Sequence, residues 1–222
     1  MQNRVNSGLI PFKDMKINAE GKKVLVIGGG DTGSDCVGTS IRQKALSVTQ
    51  IEIMPKPPLM RTIENPWPFY AKIMKTSTSH EEGCERLWGV STLRFVGDGR
   101  ITRGAEVEDV EWEYADGRYN MRPVEGTRRV IEADMVLLAM GFVHPVLEGL
   151  ISELGIELDS RKNIRVNGSL STNIPKVFAA GDSVSGASLV VNAIASGRKV
   201  AGEIDRYLTK DGIDMTSSDP AH

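Results

Sequence analysis

The sequence predicts an α/β fold: a parallel sheet interrupted by an inserted β-hairpin, with further α/β elements after it. Val24–Ile27 and Val136–Met140 are short apolar runs of the kind found in strands buried on both faces of a parallel sheet. Between them, residues 107–114 and 119–124 flank an Asp116-Gly117 turn, which predicts two antiparallel strands. A glycine-rich turn follows the first apolar run and precedes a helical pattern, which favours a strand, turn and helix unit.

The first elements follow in order along the chain. Residues 1–20 are polar and irregular and are predicted to be a linker. After the strand at 24–27, helical spacing of Cys36, Val37 and Ile41 predicts a helix that begins at the glycine turn and ends near Arg42 and Lys44. Residues 48–54 alternate and are β-rich until Pro55, so a second strand should lie parallel to the first.

The remainder of the chain predicts a more irregular series of elements. Residues 61–82 are rich in Pro, Trp, Ser and Thr, which indicates a long loop with at most a short helix. The hairpin and the strand at 136–140 come next. Four further elements are predicted: a helix over 145–154, a short strand over 164–166, a strand over 177–180 and a long helix over 189–208. The polar tail at the C-terminus is expected to be disordered.

Composition excludes several classes of function. The 222 residues are 40% hydrophobic and 25% charged, which is ordinary for one or two globular domains. A net charge of −2 without a basic block argues against nucleic acid as a partner. The apolar runs fall short of the roughly 20 residues that span a bilayer, and no signal peptide is recognisable at the N-terminus, so we expect no membrane association and a cytoplasmic location.

The glycine turn Gly28-Gly29-Gly30-Asp31-Thr32-Gly33 has the G-x-G-x-x-G spacing of Rossmann-like dinucleotide sites. Gly28 permits the tight turn, Gly30 lets the backbone approach a pyrophosphate, and Gly33 permits close packing of the helix. The N–H groups at the helix start, from Asp31 and Thr32 onward, are suited to bind the anion. A glycine turn without a ligand and an S-adenosylmethionine site are the alternatives to a dinucleotide.

The end of the second strand carries the residues expected to choose the coenzyme. Glu52 lies 24 residues after Gly28, close to the spacing of about 20 at which an acidic residue binds the ribose hydroxyls of NAD. Lys56 and Arg61 follow, and either would favour the 2′-phosphate of NADP. We expect NAD or NADP to bind, with NADH favoured.

Two other groups of residues are assigned no chemistry. Cys36 and Cys84 are far apart and form neither a redox pair nor a metal-ligand cluster. His80 with Glu81 and Glu82 is a single histidine at unsuitable spacing for a metal ion, so we expect no metal site. We interpret that segment as a surface or partner-contacting segment.

Several motifs taken together resemble the small (beta) subunit of glutamate synthase, and the resemblance covers almost the whole chain. The segments that carry it are Gly28–Cys36, Glu52–Pro58, Asn65–Pro68, His80–Glu82, Ala133–Phe142 and Ile174–Asp182. Gly181-Asp182 alone marks a broader superfamily of FAD- and NAD(P)-dependent flavoproteins related to thioredoxin reductase and lipoamide dehydrogenase. In that superfamily the nicotinamide domain is inserted into the FAD domain.

The resemblance implies a domain plan that this chain follows only in part. Residues 21–143 correspond to the NAD(P)-binding domain, residues 144–210 to the C-terminal part of a split FAD-binding domain, and residues 211–222 to a tail, with residues 1–20 the linker from an FAD-domain half that is missing. The chain has one G-x-G-x-x-G where the superfamily has two, and it lacks the cysteines of the family's iron–sulfur clusters. The resemblance therefore implies a C-terminal fragment that binds FAD weakly or not at all and is inactive in isolation.

Cofactor contacts and partners are implied in the same way. Met140 and Gly141 are implied near the dinucleotide, and Gly181 and Asp182 near the FAD pyrophosphate or ribityl chain. The helix start around Ser188, Leu189 and Val190 is implied near the flavin pyrimidine edge. The implied activity is that of an oxidoreductase passing hydride from NAD(P)H to FAD for glutamate synthesis, with no catalytic protein side chain and with the glutamate synthase large subunit or domain as partner.

Two expectations stay open beside this one. A non-catalytic dinucleotide-binding module, or a fragment of another flavin-dependent reductase, would carry the same motifs. A strand at Val177–Ala180 without its partner would expose an edge, so we expect self-association through residues 164–180, as in a homo-oligomer, or local repacking of that segment.

Overall fold

The computed structural model describes residues 17–115 and 118–210, and the predicted tail and most of the predicted linker lie outside them. The chain divides into two compact units with the boundary between Met140 and Gly141. The first unit contains, in chain order, β1 (Lys23–Ile27), α1 (Asp31–Arg42), β2 (Ser47–Glu52), α2 (Thr78–Glu81), β3 (Glu85–Trp88), β4 (Val90–Gly97), β5 (Thr102–Ala115), β6 (Arg118–Pro123), β7 (Arg129–Glu132) and β8 (Met135–Leu138).

Four strands of this unit form a parallel sheet in the order β3-β2-β1-β8. β1 is the apolar run of the sequence, and it lies between β2 and β8 with Ile27 opposite both Ile51 and Leu138. The predicted parallel sheet is therefore confirmed. Because the chain leaves β1 toward one neighbour and returns on its other side, the carboxyl end of β1 is a topological switch point, where such sheets bind ligands.

The two faces of the sheet are covered by different layers. Val24 and Val26 point to one face, where they pack with Val37 of α1 and Val48 of β2. The alternate residues Leu25, Ile27 and Ile51 point to the other face and pack with Val90, Ala105 and Val107 of the inserted strands. The period-2 alternation of strands thus separates β1 into two apolar sets.

The insertion between β3 and β8 is a second, antiparallel sheet of order β4-β5-β6, with β7 also paired to β5. β5 and β6 form the predicted hairpin, and its turn residues lie outside the described part of the chain. The insertion is larger than the predicted hairpin because β5 begins at Thr102 and pairs with β4 and β7. A register shift between Thr92 and Arg94 interrupts the alternation of inward and outward residues in β4, so the sequence did not predict this strand.

The long loop predicted over 61–82 is present, and its only helix within those residues is the four-residue α2. The structured connection from β2 to β3 brings α2 to the neighbourhood of α1. A hydrogen-bonded ion pair between Arg42 and Glu82 joins the two helices.

The second unit contains α3 (Leu150–Leu154), α4 (Asp182–Ser185) and α5 (Val190–Lys210). α5 confirms the predicted long helix. No helix among the described residues is both long and apolar enough to cross a membrane.

Three sequence predictions for this unit are wrong. The helix predicted over 145–154 occupies only 150–154, because Gly149 before it has φ 88° and the chain turns there. In place of the strand predicted over 164–166 there is one bridge, between Leu158 and Ile164. In place of the strand predicted over 177–180 there is one bridge, between Ser171 and Phe178.

The physical reason lies in the turns around these segments. Lys162, Leu170 and Lys176 all adopt positive φ, between 59° and 68°, and each reverses the local direction of the chain. The Asn167 side chain accepts from the N–H groups of Ser169 and Ser171, which fixes another turn. The segments between these turns are too short to form the repeated hydrogen bonds of a β-ladder.

Candidate functional site

The glycine turn between β1 and α1 is fixed by close backbone contacts. Gly28 has φ 123°, and a Cβ built on it would lie 2.3 Å from the carbonyl oxygen of Ala139, so only glycine fits. Its N–H donates to the carbonyl of Ile51 at 2.9 Å. The turn is therefore joined to the ends of both neighbouring strands.

The other two motif glycines differ sharply from each other. A Cβ on Gly33 would lie 2.1 Å from the Gly28 carbonyl oxygen, so Gly33 lets α1 start directly against the turn. A Cβ on Gly30 would meet nothing within 4 Å, and Gly30 is the N-cap of α1 in an extended conformation. Gly30 is exposed, as are Asp31 and Thr32 after it. The open side of the turn is thus the place where a ligand can approach the backbone.

Glu52 is held beside this turn by both of its carboxylate oxygens. Oε2 accepts from the Gly29 N–H at 2.5 Å, and Oε1 accepts from the Met54 N–H at 3.0 Å. A carboxylate that accepts two backbone N–H groups is fixed in orientation. Its place at the carboxyl end of β2 is the one expected of an acid that binds ribose hydroxyls.

A cleft of about 450 Å³ opens at this edge of the sheet. It joins residues of the glycine turn and of the end of β2 to residues of the long loop, α2 and β3. Its lining includes Gly30, Asp31, Ser34, Glu52, Tyr70, Lys72, Lys75, Ser77, His80, Arg86 and Trp88. The cleft combines backbone, acidic, basic and aromatic groups, and its volume lies in the range of small-molecule sites.

Of the two basic residues proposed from the sequence, Arg61 is engaged within the long loop, and Lys56 lies over a ring that lines the cleft. The Arg61 guanidinium donates to the carbonyls of Asn65, Pro66 and Phe69, at 3.3, 3.4 and 2.8 Å, and so holds the long loop in shape. The Lys56 ammonium lies over the Trp88 ring, 5.1 Å from its centroid. Arg86 packs on the same ring at 4.9 Å.

A polar network that the sequence does not predict adjoins the cleft. Gln50, which is only 2% exposed, donates from Nε2 to the Gly28 carbonyl at 2.9 Å, and its Oε1 lies 2.9 Å from His80 Nε2. His80 Nδ1 faces the N–H and hydroxyl of Ser77 at 3.2 and 3.0 Å. The Ser77 hydroxyl in turn lies 2.5 Å from that of Ser34 in α1. His80, taken from the sequence as part of a surface segment, is therefore half-buried.

The second unit has a pocket of its own, of about 310 Å³. Asp182 lies on it at the start of α4, with Phe142, His144, Pro145 and Val146 among the other lining residues. The preceding Gly181 has φ 67° and donates its N–H to Ser196 Oγ of α5 at 3.0 Å. Ser188, Leu189 and Val190 are exposed at the start of α5. Met140 and Gly141 are also exposed and end the first unit and begin the second.

Comparison with known proteins identifies the family. The model of the pyridine nucleotide-disulphide oxidoreductase family matches residues 3–197. The chain belongs to this family. Its parallel sheet, glycine turn and C-terminal Gly181-Asp182 element are thereby explained together as parts of a pyridine nucleotide-disulphide oxidoreductase.

Individual relatives within the family carry a more specific name. The chain is 48% identical to the "Glutamate synthase [NADPH] small chain" of Mycobacterium tuberculosis over 195 residues, which are 86% of this chain and 38% of that protein. It is 39% identical to the "Glutamate synthase [NADH]" of Schizosaccharomyces pombe over 199 residues, 85% of this chain and 9% of that protein. The chain thus spans well under half the length of these relatives.

Among solved structures, the chain is similar to T. acidophilum thioredoxin reductase with a TM-score of 0.55 at 24% identity, covering 86% of this chain and 54% of that one. Lactococcus lactis thioredoxin reductase gives a TM-score of 0.53 at 19% identity, covering 86% and 54%. At these identities the likeness supports the fold alone. The α/β class predicted from the sequence is confirmed for this member of the family.

One signal for the missed network was present in the sequence. Gln50 alternates with Val48 on the face of β2 that α1 covers, and a polar residue at an inward position needs a partner. Nothing local identifies that partner, because His80 is 30 residues away and reaches Gln50 only through the long loop.

Proposed function

We propose that the first unit binds the dinucleotide NAD(P)H and that the chain is the NAD(P)H-binding part of a glutamate synthase small subunit. The observation that carries the proposal is the glycine turn at the switch point of a parallel sheet, with Gly30 open toward a cleft that Glu52 borders. The pyrophosphate lies against Gly30 and the first N–H groups of α1, where the helix dipole favours an anion. The adenosine ribose lies at Glu52.

The residues present fit this ligand. Substituting any side chain at Gly30 would fill the open side of the turn, and glycine leaves it free for close approach to a phosphate. Lys72, Lys75 and Arg86 bring positive charge to a cleft that would receive a pyrophosphate. Trp88 supplies an aromatic wall.

We further propose that NADH binds more tightly than NADPH, by a modest factor. Glu52 is fixed where it accepts from a free ribose hydroxyl and repels a 2′-phosphate. The basic groups of the cleft reduce this discrimination. Relatives named for either coenzyme are similar to this chain.

In the second unit, Asp182 and the start of α5 at Ser188, Leu189 and Val190 are proposed to hold part of FAD. They border or adjoin an open pocket with apolar walls, which fits the family's need for a flavin. When both cofactors are bound, the nicotinamide supplies a hydride and the flavin accepts it. The protein orients the two cofactors and excludes water, and a partner large subunit uses the electrons to make glutamate.

Calorimetric titration of the 222-residue chain with NADH, NADPH and FAD tests these proposals. Gly30→Val should abolish dinucleotide binding by blocking the turn, while the fold is kept because nothing lies within 4 Å of the new Cβ. Gly168→Val is the matched control, since Gly168 is equally unobstructed but belongs to the second unit. Unchanged affinity in Gly30→Val would place the dinucleotide elsewhere.

Glu52→Gln tests the coenzyme preference separately. The variant keeps an acceptor for the Gly29 N–H but loses the charge, so NADPH affinity should rise relative to NADH. If wild type prefers NADPH and Glu52→Gln leaves that ratio unchanged, Glu52 does not select the coenzyme.

The cofactor arrangement predicts that the isolated chain shows little flavin absorbance and no steady NADH oxidation with an artificial acceptor. The sequence contains a single G-x-G-x-x-G, and the ADP half of FAD normally needs a glycine turn of its own. Stoichiometric bound flavin and sustained NADH oxidation without a partner would contradict this part of the proposal. Binding of NADH without flavin would support it.

A further inference from the structure

Hydrogen bonds connect the long loop and α2 to both ends of the glycine turn. At the first end, His80 contacts Gln50 and Gln50 donates to the carbonyl of Gly28. At the other end, His80 contacts Ser77 and the Ser77 hydroxyl contacts that of Ser34 in the first turn of α1. His80 is the residue common to the two branches.

The roles of donor and acceptor in this network are set by the backbone. The Gln50 amide nitrogen must donate to the Gly28 carbonyl, so its oxygen faces His80 Nε2 and requires a donor there. The Ser77 N–H can only donate, so His80 Nδ1 must be an acceptor. Only the neutral imidazole with its hydrogen on Nε2 meets both requirements.

We propose that neutral His80 is a positioning residue of the dinucleotide site, holding the glycine turn between Gly28 and Ser34 in the geometry that receives the pyrophosphate. The inference rests on the proposed dinucleotide function. His80 acts through Gln50 and Ser77 and takes no part in hydride transfer. Protonation of Nδ1 removes the acceptor that Ser77 requires and releases the α1 end of the turn.

The surroundings favour the neutral form. Burial, and secondarily the positive charge of Arg86 on β3, lower the pKa of His80 from its ordinary value of 6.5. Other charges near this network are Glu52 of β2 and Lys75 of the loop, which share the cleft, and Glu81 of α2. Glu82, the residue after α2, is paired with Arg42 of α1. A histidine whose pKa is lowered by folding stabilises the structure above its ordinary pKa, and that contribution is lost as pH falls through the lowered value.

The test measures NAD⁺ affinity of the full chain by calorimetry, since NAD⁺ tolerates acid better than NADH. For wild type, the affinity should be lower at about pH 5 than at about pH 8, and the fall should lie below the ordinary histidine pKa of 6.5, because the pKa of His80 is lowered. His80→Ala should weaken binding at the higher pH by about tenfold, the effect of one or two lost buried hydrogen bonds. His80→Gln, whose amide offers both a donor and an acceptor, should restore much of the affinity and abolish the pH dependence.

Glu81→Gln is the matched control, because Glu81 is exposed on the same short helix beside His80. It should bind like wild type at both pH values. The inference is overturned if His80→Ala binds NAD⁺ normally, or if His80→Gln keeps the pH dependence of wild type.

Hydrogen–deuterium exchange of residues 29–34 provides a readout that needs no ligand. After correction for intrinsic rates, these amides should exchange faster in His80→Ala than in wild type and Glu81→Gln, and faster in wild type on acidification. Faster exchange in a chain that binds no dinucleotide would reject the proposed function and keep the positioning role. Unchanged exchange with normal NAD⁺ binding in His80→Ala would reject the positioning role and keep the function.

Discussion

Two glycine turns of this chain each lead into a helix that begins with an aspartate, Asp31 or Asp182, and they differ in what holds them. Gly28–Gly33 follows a strand that is paired on both sides, and it opens a helix of 12 residues whose inner face is buried. Gly181-Asp182 follows a segment with one isolated bridge at Phe178, and it opens a helix of four residues that ends at Gly186. The Gly-Asp pair thus lies between a paired strand and a packed helix in the first turn, and between an isolated bridge and a four-residue helix in the second.

The glycines themselves are required for different reasons. At Gly28 and Gly33 a side chain would collide with backbone, at 2.3 and 2.1 Å. At Gly181 the nearest atom to a new Cβ is 3.7 Å away, and the constraint comes from φ 67° and ψ −147°, a conformation that side chains disfavour. Steric contact with the backbone requires glycine in the first turn, and the backbone dihedral angles require glycine in the second.

The largest effect is expected for Gly33→Ala. The new methyl group would lie against the Gly28 carbonyl and 2.6 Å from Gln50 Nε2, so α1 must move away from the turn. We expect the first unit to lose about 3 kcal/mol of stability, at the upper end of overpacking costs. Urea unfolding followed by tryptophan fluorescence measures this unit alone, because Trp67, Trp88 and Trp112 all lie in it.

Gly202→Ala is the matched control for Gly33→Ala. Gly202 is exposed within α5 and has nothing within 4 Å of its Cβ position, so alanine should stabilise the helix by about 0.5–1 kcal/mol. Helical circular dichroism during urea unfolding measures this effect, because α5 lies in the second unit, which contains no tryptophan. Equal and small effects of the two substitutions would show that the first turn is not held by backbone contact.

A smaller effect is expected from truncation of the helix that follows the first turn. Val37 is 0% exposed in the cluster with Val24, Val26 and Val48, and Val37→Ala should cost about 2 kcal/mol from lost burial and the cavity left behind. Val191 near the start of α5 is 61% exposed, and Val191→Ala should leave stability nearly unchanged. A similar loss at both positions would contradict the difference between the two helices.

The sequence predicted the first turn and the strand and helix on either side of it well, because the residues that indicate them lie close together in the chain. The apolar run of β1, the spacing of the glycines and the helical pattern after Gly33 lie within 20 residues of one another. Glu52 was found by its spacing from Gly28, and the structure puts it against the turn. Local patterns suffice where neighbouring strands follow each other in sequence.

The sequence failed where structure depends on distant partners or on backbone angles of ordinary residues. Positive φ at Lys162, Leu170 and Lys176 has no sequence signal, and it replaced two predicted strands by single bridges. The contact of Gln50 with His80 depends on the course of a loop that no pattern assigns. The same holds for Arg86 and Trp88, which β3 places in the cleft.

Gly181→Ala should have a milder effect than Gly33→Ala. The added methyl group has space, and the cost is the backbone strain of a side chain at φ 67° and ψ −147°, about 1 kcal/mol. The second unit contains no tryptophan, so helical circular dichroism during urea unfolding is the suitable measurement. A loss as large as that of Gly33→Ala would mean that packing, and not strain, also fixes the second turn.

The smallest expected effect concerns the thiols, which report on the first unit alone because Cys36 and Cys84 are the only cysteines of the chain and precede Met140. Burial, and secondarily the Asp35 carboxylate, raise the pKa of the Cys36 thiol. Burial also raises the pKa of Cys84, while the charge of Arg86 opposes that rise. Alkylation requires the thiolate, so both should react slowly at neutral pH and faster as pH rises, with Cys36 the slower.

Iodoacetamide alkylation of the single-cysteine variants Cys84→Ser and Cys36→Ser measures the two rates separately. Adding Asp35→Asn to the chain that retains Cys36 should raise its rate modestly, because the carboxylate no longer opposes ionisation. The same substitution in the chain that retains Cys84 should have no effect and serves as the control. Rapid alkylation of Cys36 in the folded chain at neutral pH would show that α1 does not stay packed on the sheet, and the contrast between a rigid first turn and a looser second one would then be lost.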